Sequence, residues 1–408
     1  MPRRSFLFLQ GVSSPFFPKL ADRLAAEGER IHRINFNCGD AAYWGGRPAW
    51  NFRGPIGGLP GFIDGKFSSC GITDVVLFGD RRPVHEPAIR LARERSVRVH
   101  VFEEGYFRPW WVTLERGGVN AKSSLPRDPR WYMEAGALLP DCGDGAPFAQ
   151  GLPSRALHDF AYHLAGAANP LFFPRYCTHW PYSAAVEYLG YARRFPAIAW
   201  HARGTRAAVE SLLRSAAHFF LLPLQLDADA QVRHDSPFAD MSEAIDRVAR
   251  SFASHAPGDA RLVIKNHPLD TGLAHHARFI AGLARELGLE GRIDYLESGD
   301  LAALLQHAHG VVTVNSTVGA AALAQQRPTI ALGKPIYSLP GLTFQGSLDD
   351  FWRGASRPDT ELFRRFRNTV IHATQVSGGF YARAGIALAV ENSRRMLQAE
   401  QSPLEALL

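Results

Sequence analysis

Leu262-Val-Ile-Lys-Asn-His-Pro268 and Val311-Val-Thr-Val-Asn-Ser-Thr-Val-Gly319 decide the fold class of this chain. Each runs β-branched residues straight into polar, helix-starting ones. That is how an α/β domain presents side chains and backbone N–H groups to a phosphorylated ligand at the carboxyl edge of its sheet. Pro268 is expected to end the first strand and fix the turn, holding His267 where it can donate to a phosphate oxygen, with charge added by Lys265. A capped turn with a solvated lysine is the plain alternative. In the second stretch, Asn315 and Gly319 flank Ser316 and Thr317, good N-cap residues for a helix predicted over Val318–Gln325. Hydroxyls and free N–H groups at a helix start make an anion site, although simple capping asks for the same residues.

Working outward, strands are predicted over His218–Gln225, Arg261–Lys265, Arg292–Leu296, Gly310–Val314 and Thr329–Leu332, with helices Leu273–Leu287 and Leu301–Ala308 between them. The first third alternates likewise, with strands Ser5–Gln10, Ile31–Phe36, Thr73–Phe78 and Val97–Phe102 and helices Phe17–Glu27 and Glu86–Arg95. Such βαβ series build parallel sheets. Residues 40–67, rich in Gly, Pro and Trp, read as loops, and residues 106–128 as a polar binding loop that includes Arg108, Asn120 and Lys122. Helices follow at 152–215, at Thr360–Thr374 and at Phe380–Glu400. The expected fold is α/β, with two doubly wound Rossmann-like domains facing a cleft in the GT-B manner. Residues 1–215 form an acceptor and catalytic domain, 216–375 form a nucleotide-binding domain, and the last helix packs back on the first.

The bulk properties narrow the function classes. With 46% hydrophobic and 21% charged residues among 408, the chain is globular, and no apolar run approaches the length of a spanning helix. Cys38, Cys70, Cys142 and Cys177 lack CxxC spacing, so neither a zinc site nor a disulfide framework is indicated. No metal cluster is visible and no cofactor is expected. A net charge of +6 suits an anionic partner, but the basic residues are dispersed and nucleic-acid signatures are absent. The first apolar run ends at Gln10, too early for a signal peptide, which makes the cytoplasm the default compartment. Peripheral contact with anionic lipid is compatible with the charge, and the helical, aromatic and basic region Arg155–Arg194, with Arg193 and Arg194, is the candidate surface.

Glu103-Glu104-Gly105 closes the strand Val97–Phe102. Two adjacent carboxylates point to opposite sides if the strand continues, so one at most faces a reactive centre, where it can serve as general base or nucleophile. Gly105 would permit an unusual turn there. Gln225, Asp227 and His234-Asp-Ser-Pro-Phe238 form a further polar set, suited to a base, a ribose or an acceptor.

Phe8-Leu-Gln-Gly-Val-Ser-Ser-Pro-Phe-Phe17, His32-Arg-Ile-Asn-Phe-Asn37, Phe102-Glu-Glu-Gly-Tyr-Phe-Arg-Pro109, Gly118-Val-Asn-Ala121, Pro223-Leu-Gln225, His267-Pro268 and Asn315-Ser-Thr317 together resemble the capsule polysaccharide synthesis proteins of the KpsS/LipB type, over nearly the whole chain. The resemblance implies a retaining β-Kdo transferase at the cytoplasmic face of a Gram-negative inner membrane, working with capsule assembly and export machinery. It would carry Kdo from CMP-Kdo to a phosphatidylglycerol-type lipid and so begin a short Kdo linker. Carried over by motif, Glu104 with its neighbour Glu103 becomes the catalytic element. Lys265, His267, Pro268, Asn315, Ser316, Thr317 and Gly319 hold CMP, and Gln10, Asn35, Asn37, Arg108, Asn120, Lys122 and Gln225 are candidates for sugar or acceptor contacts. Related Kdo transferases often have Glu-Asp-Gly where this chain has Glu-Glu-Gly, so the reactive carboxylate is one methylene longer. An inverting sialyl-type transferase with Glu104 as general base, and a non-catalytic export or scaffold protein, are the competing readings.

Overall fold

A computed structural model describes residues 3–149, 151–178, 182–215, 218–227 and 229–408, with residue 152 described by its backbone alone. Among these, the strands are β1 (Ser5–Phe8), β2 (Arg30–Asn35), β3 (Trp50–Asn51), β4 (Asp74–Phe78), β5 (Arg98–Glu104), β6 (Trp111–Arg116), β7 (Phe219–Pro223), β8 (Arg261–Lys265), β9 (Ile293–Leu296), β10 (Gly310–Thr313), β11 (Thr329–Ala331) and β12 (Gln375–Ser377). The chain divides into two compact units. One is Met1–Leu125 with Ala135–His179 and Arg367–Leu408, and the other is Pro126–Glu134 with Trp180–Phe366.

The first unit carries the sheet β3-β2-β1-β4-β5-β6-β12. It is parallel from β3 to β5 and antiparallel at β6 and β12. Phe6, Phe8, Val76, Phe78 and Phe102 pack with residues of the helices Phe16–Ala26 and Arg383–Gln398. Leu7, Leu9, Val75, Leu77, Val99 and Val101 face the helices Leu59–Cys70 and Glu86–Glu94. Burial on both faces is why these strands read as unbroken apolar runs. The chain enters at β1, goes outward to β2 and returns to β4, so the carboxyl ends of β1 and β4 flank a topological switch point.

A polar pair sits inside this core. His100 Nε2 lies 2.8 Å from Asp74 Oδ1, both side chains being buried. Burial pushes the imidazole below its usual value in spite of that carboxylate. Burial pulls Asp74 upward, but the hydrogen bond from His100, with Thr73 and Arg4 beside it, outweighs this and leaves the carboxyl below its usual range.

The second unit is built on the all-parallel sheet β11-β10-β7-β8-β9, whose switch point lies between β7 and β10. Phe220, Leu222, Leu262, Ile264 and Val312 pack with the helix Met241–His255, while Phe219, Leu221, Val263 and Val311 pack with Leu304, Leu305 and Val209. Both units are therefore Rossmann-like α/β structures, the composition of a GT-B-type chain.

Several expectations need correction. The units do not part at 215/216, two of whose neighbouring positions, 216 and 217, lie outside the described residues. The helix Ala184–Arg214 belongs to the second unit because Val209 enters its core and Gly190 rests on Thr271, where a Cβ would come 2.7 Å from the carbonyl oxygen. Pro126–Glu134 also belongs there, with Arg127 donating to Pro335 O at 2.7 Å and Tyr132 packed edge-on against Phe366. Residues 40–67 are not loops. They include most of a helix Cys38–Trp44, capped by Asn37 accepting from Asp40 N at 2.8 Å, then β3 and the start of the helix Leu59–Cys70. Residues 106–128 are not one loop either, since they contain β6.

Candidate active site

Strand β5 continues through the carboxylates. Glu103 pairs with Thr113 and Glu104 with Val112, so the two side chains leave opposite sides of the sheet. Glu103 folds back on its own backbone, Oε1 accepting from Glu104 N at 3.0 Å. Glu104 stays half-buried, and its Oε1 lies 3.1 Å from Arg155 Nη1 on the helix Leu152–Gly166. The Arg155 guanidinium in turn lies over the Tyr381 ring at 4.9 Å. Burial, with Glu104 nearby, raises the Tyr381 hydroxyl well above its usual value. Gly105 acts by close approach and not by an unusual turn. A Cβ there would stand 2.0 Å from Trp111 O, so glycine alone lets β5 and β6 meet directly beyond Glu104.

Behind this edge, β6 is held by buried polar groups. Tyr106 donates to Glu115 at 2.6 Å, Ser123 donates to the other oxygen of Glu115, and Gln375 accepts from Tyr106 N at 3.0 Å. Asn120, at φ 56°, has its N–H bonded to the Tyr106 hydroxyl at 2.7 Å. Lys122 Nζ is 3.4 Å from Asp80 O, whereas Arg108 is exposed.

At the ends of β1 and β2, Gln10, Arg33, Asn35, Asn37 and Asp40 form a buried network. Gln10 Nε2 donates to Tyr162 Oη at 3.1 Å, and Asn37 Nδ2 donates to the same oxygen at 2.8 Å. Arg33 is ion-paired with Asp40 at 3.1 Å and donates to Asn35 Oδ1 at 2.9 Å. Asn35 Nδ2 reaches Asn51 at 3.1 Å. The structure thus brings Gln10, Asn35 and Asn37 together and gives Asn35 and Asn37 internal partners. Gln10 Oε1 is buried and lacks a hydrogen-bond partner among the described residues. Burial, with Asp40 next, raises the Tyr162 hydroxyl well above its usual value.

In the second unit, His267 follows β8 on a tightly tied loop. Asn266 Oδ1 accepts from His267 N at 2.8 Å, and His267 O accepts from Asp270 N at 3.1 Å. His267 Nδ1 accepts the Leu269 N–H at 3.1 Å. A neutral imidazole bonded this way carries its proton on Nε2, which leaves that atom a donor. Lys265 is buried and donates to Asn266 O at 3.3 Å, and burial with the Arg194 charge lowers its ammonium from the usual value.

The loop's main support was not visible in the sequence. Arg194, named above as a surface charge, is buried in the helix Ala184–Arg214. It is paired with Glu297 at 2.5 Å and donates to the carbonyls of His267 at 3.2 Å, Pro268 at 3.2 Å and Asp270. Tyr191, one turn earlier, donates to Leu269 O at 3.2 Å. The spacing Gly190, Tyr191, Arg194 on one helix face was the available signal.

Gln225 and Asn315 meet at the second switch point, Asn315 N donating to Gln225 Oε1 at 2.8 Å. Asn315 Nδ2 is bonded to Gln231 O at 2.8 Å, so both side chains brace the strand ends internally. Ser316 caps the helix Thr317–Ala324, accepting from Val318 N at 3.2 Å, with Thr317 half-buried at its first turn. Gly319 makes room for Tyr337, whose hydroxyl donates to Ser316 O at 2.5 Å and would meet a Cβ at 2.1 Å. Asp227 accepts from Met241 N at 3.1 Å and lies 3.5 Å from buried His276. Burial works against a charged His276, but Asp227 raises its pKa above the usual value.

Among the described residues, no three His, Cys, Asp or Glu side chains converge to hold a metal ion, and no helix is long and apolar enough to cross a membrane. A sequence model of the family described as capsule polysaccharide biosynthesis protein matches residues 73–381. The chain is 36% identical over 383 residues to the capsule polysaccharide export protein KpsS of Escherichia coli, spanning 93% of this chain and 97% of that protein. It is 34% identical to the capsule polysaccharide modification protein LipB of Neisseria meningitidis serogroup B, spanning 93% and 92%. Among solved structures it is similar to Thermosulfurimonas dismutans KpsC, a β-Kdo 2,7 transferase, with 14% identity, a TM-score of 0.44, and coverage of 96% of this chain and 99% of that one.

Proposed function

The chain belongs to the capsule polysaccharide biosynthesis protein family of the KpsS/LipB type, and from that premise we propose that it is a glycosyltransferase of capsule assembly, a retaining β-Kdo transferase. CMP-Kdo is the donor and a phosphatidylglycerol-type lipid at the cytoplasmic face of the inner membrane is the acceptor. The product is the first Kdo of a linker that the capsule export machinery carries onward. The observation that carries the reading is Glu104. It is a half-buried carboxylate at the carboxyl end of a central strand, with Arg155 3.1 Å from its Oε1.

In this reading the second unit binds CMP. His267 Nε2 donates to the phosphate, and the capped first turn at Ser316 and Thr317 adds its dipole and hydroxyl. Arg194 keeps the His267 loop in one conformation. The Glu104 carboxylate attacks the anomeric carbon as the bond to the CMP oxygen breaks, and the departing electron pair stays on the phosphate. The acceptor hydroxyl then displaces Glu104 from the opposite face, its proton passing to a phosphate oxygen of the departing CMP, so the two inversions give retention. Gln10, with its unpartnered buried Oε1, and Asn120 and Lys122 on the turn after β6 are the candidates to meet the sugar.

The experiment is to incubate the purified protein with CMP-Kdo and a fluorescent lysophosphatidylglycerol and read the lipid by mass spectrometry. A Kdo-sized gain with a β linkage is expected. No gain from protein that demonstrably binds CMP would overturn the donor or acceptor assignment, and absence of CMP binding would favour a scaffold.

A further inference from the structure

Residues 153–172 of the first unit are turned inside out for a soluble protein. Most polar groups of this segment bond to other residues of the unit, whereas the Asp159 side chain is half-exposed. Ser154 donates to Tyr381 O at 3.0 Å, Arg155 meets Glu104, His158 meets the Tyr43 hydroxyl at 2.8 Å, Tyr162 meets Asp40 at 3.1 Å and Asn169 accepts from Cys38 N at 2.7 Å. The outward positions are apolar. Leu157 is 66% exposed, Phe160 51%, Leu164 63%, Leu171 82% and Phe172 53%. Leu157, Phe160 and Leu164 share one helix face by their spacing of three and four, and alanines at 156, 161 and 167 fill the exposed positions between them.

Exposed apolar side chains gathered on one short segment mark a docking surface. Its surroundings choose the occupant. Arg175 is exposed just past its end, and exposed Arg53 lies 5.9 Å from the ring of Phe173, next to Phe172. The acidic group on the segment, Asp159, has His163 at 3.6 Å. Apolar side chains with a basic margin match a bilayer interface, with hydrocarbon below and anionic headgroups beside it.

We propose that residues 153–172 seat the protein on an anionic phospholipid bilayer, with Leu157, Phe160, Leu164, Leu171 and Phe172 entering the acyl boundary. This deepens the reading above, on which it rests only for the claim that the acceptor lies in that bilayer. The helix that meets lipid on one side then holds Glu104 on the other, through Arg155.

The test is sedimentation of the full chain with vesicles of phosphatidylcholine alone or with phosphatidylglycerol, without donor, so that its failure is separable from failure of the transfer reaction. The wild-type protein should bind the anionic vesicles, and Leu157→Glu/Leu164→Glu should lower partitioning at least tenfold. Leu171→Glu provides a second variant outside the long helix, and Leu408→Glu, at another exposed leucine, should have no effect. Circular dichroism melts establish that each variant folds. Equal binding by wild type and variants, or no binding by wild type, overturns the proposal. A wild-type dimer that these substitutions dissociate also overturns it, by assigning the face to a second copy of the chain.

Discussion

Arg155 Nη1 lies 3.1 Å from Glu104 Oε1, a pairing between a helix that faces outward with leucines and the last residue of a sheet strand. Both side chains are partly exposed, so the pair adds little to stability, on the order of 0–1 kcal/mol. Its consequence is orientation. Arg155→Ala is expected to lower kcat about tenfold or more with a smaller change in KM, and Arg155→Lys to recover part of it, because a lysine restores charge without the guanidinium fork. Steady-state kinetics on CMP-Kdo decide it, and an unchanged kcat would remove Arg155 from the site.

Arg194 makes a different kind of contact, buried against Glu297 and three loop carbonyls. Arg194→Ala leaves these acceptors unpaired and should cost about 3 kcal/mol in stability. Arg194→Lys should lose less stability, yet weaken CMP binding because three N–H groups on a single nitrogen cannot reach the Glu297 carboxylate and all three carbonyls that the planar guanidinium spans. Thermal melts with calorimetric titration of CMP separate the two effects. CMP affinity unchanged in Arg194→Lys would mean that the loop conformation does not matter for the nucleotide.

Gly105 is constrained by a carbonyl, not by its dihedral angles, since the prospective Cβ lies 2.0 Å from Trp111 O. Gly105→Ala must push β6 away from β5 and is expected to cost about 1–3 kcal/mol. It should also reduce activity by moving Glu104. A denaturation midpoint equal to wild type would contradict the packing described here.

Acid should weaken the first unit through His100 and Asp74. Both are held below their usual values in the folded state, so each contributes stability that is present above its unfolded pKa and lost as pH falls. The histidine contribution begins to disappear below about pH 6.5 and the aspartate contribution below about pH 4. Melting temperatures across pH 5 to 8 should therefore fall toward the acid end, and His100→Gln should flatten the upper part of that decline. A profile identical to wild type in the variant would dissociate His100 from it.

Much of this architecture could be read from residues alone, because buried parallel strands announce themselves. Strand Arg261–Lys265, the His267 loop and the capped start at Ser316 are legible since their signals are local. Strand β6 was hidden because its polar residues, Thr113 and Glu115, are buried by partners that include Gln375, far along the chain. The inward turn of Arg194 was equally hidden, since its acceptors lie 73 to 103 residues away. Asn35, Asn37, Asn315 and Gln225 carried the right residue types at strand ends, and the structure gives them bracing partners within their own units. Sequence spacing does not distinguish a side chain that braces a strand end from one that meets a ligand there.

The central claim is that Glu104 carries out the chemistry. Wild type and Glu104→Gln, both shown to be folded and to bind CMP equally, should be incubated with CMP-Kdo and lysophosphatidylglycerol, and the lipid mass followed in time. Kdo addition by wild type with a loss of at least a thousandfold in Glu104→Gln is the predicted result. Transfer by Glu104→Gln at a rate comparable to wild type would contradict the account.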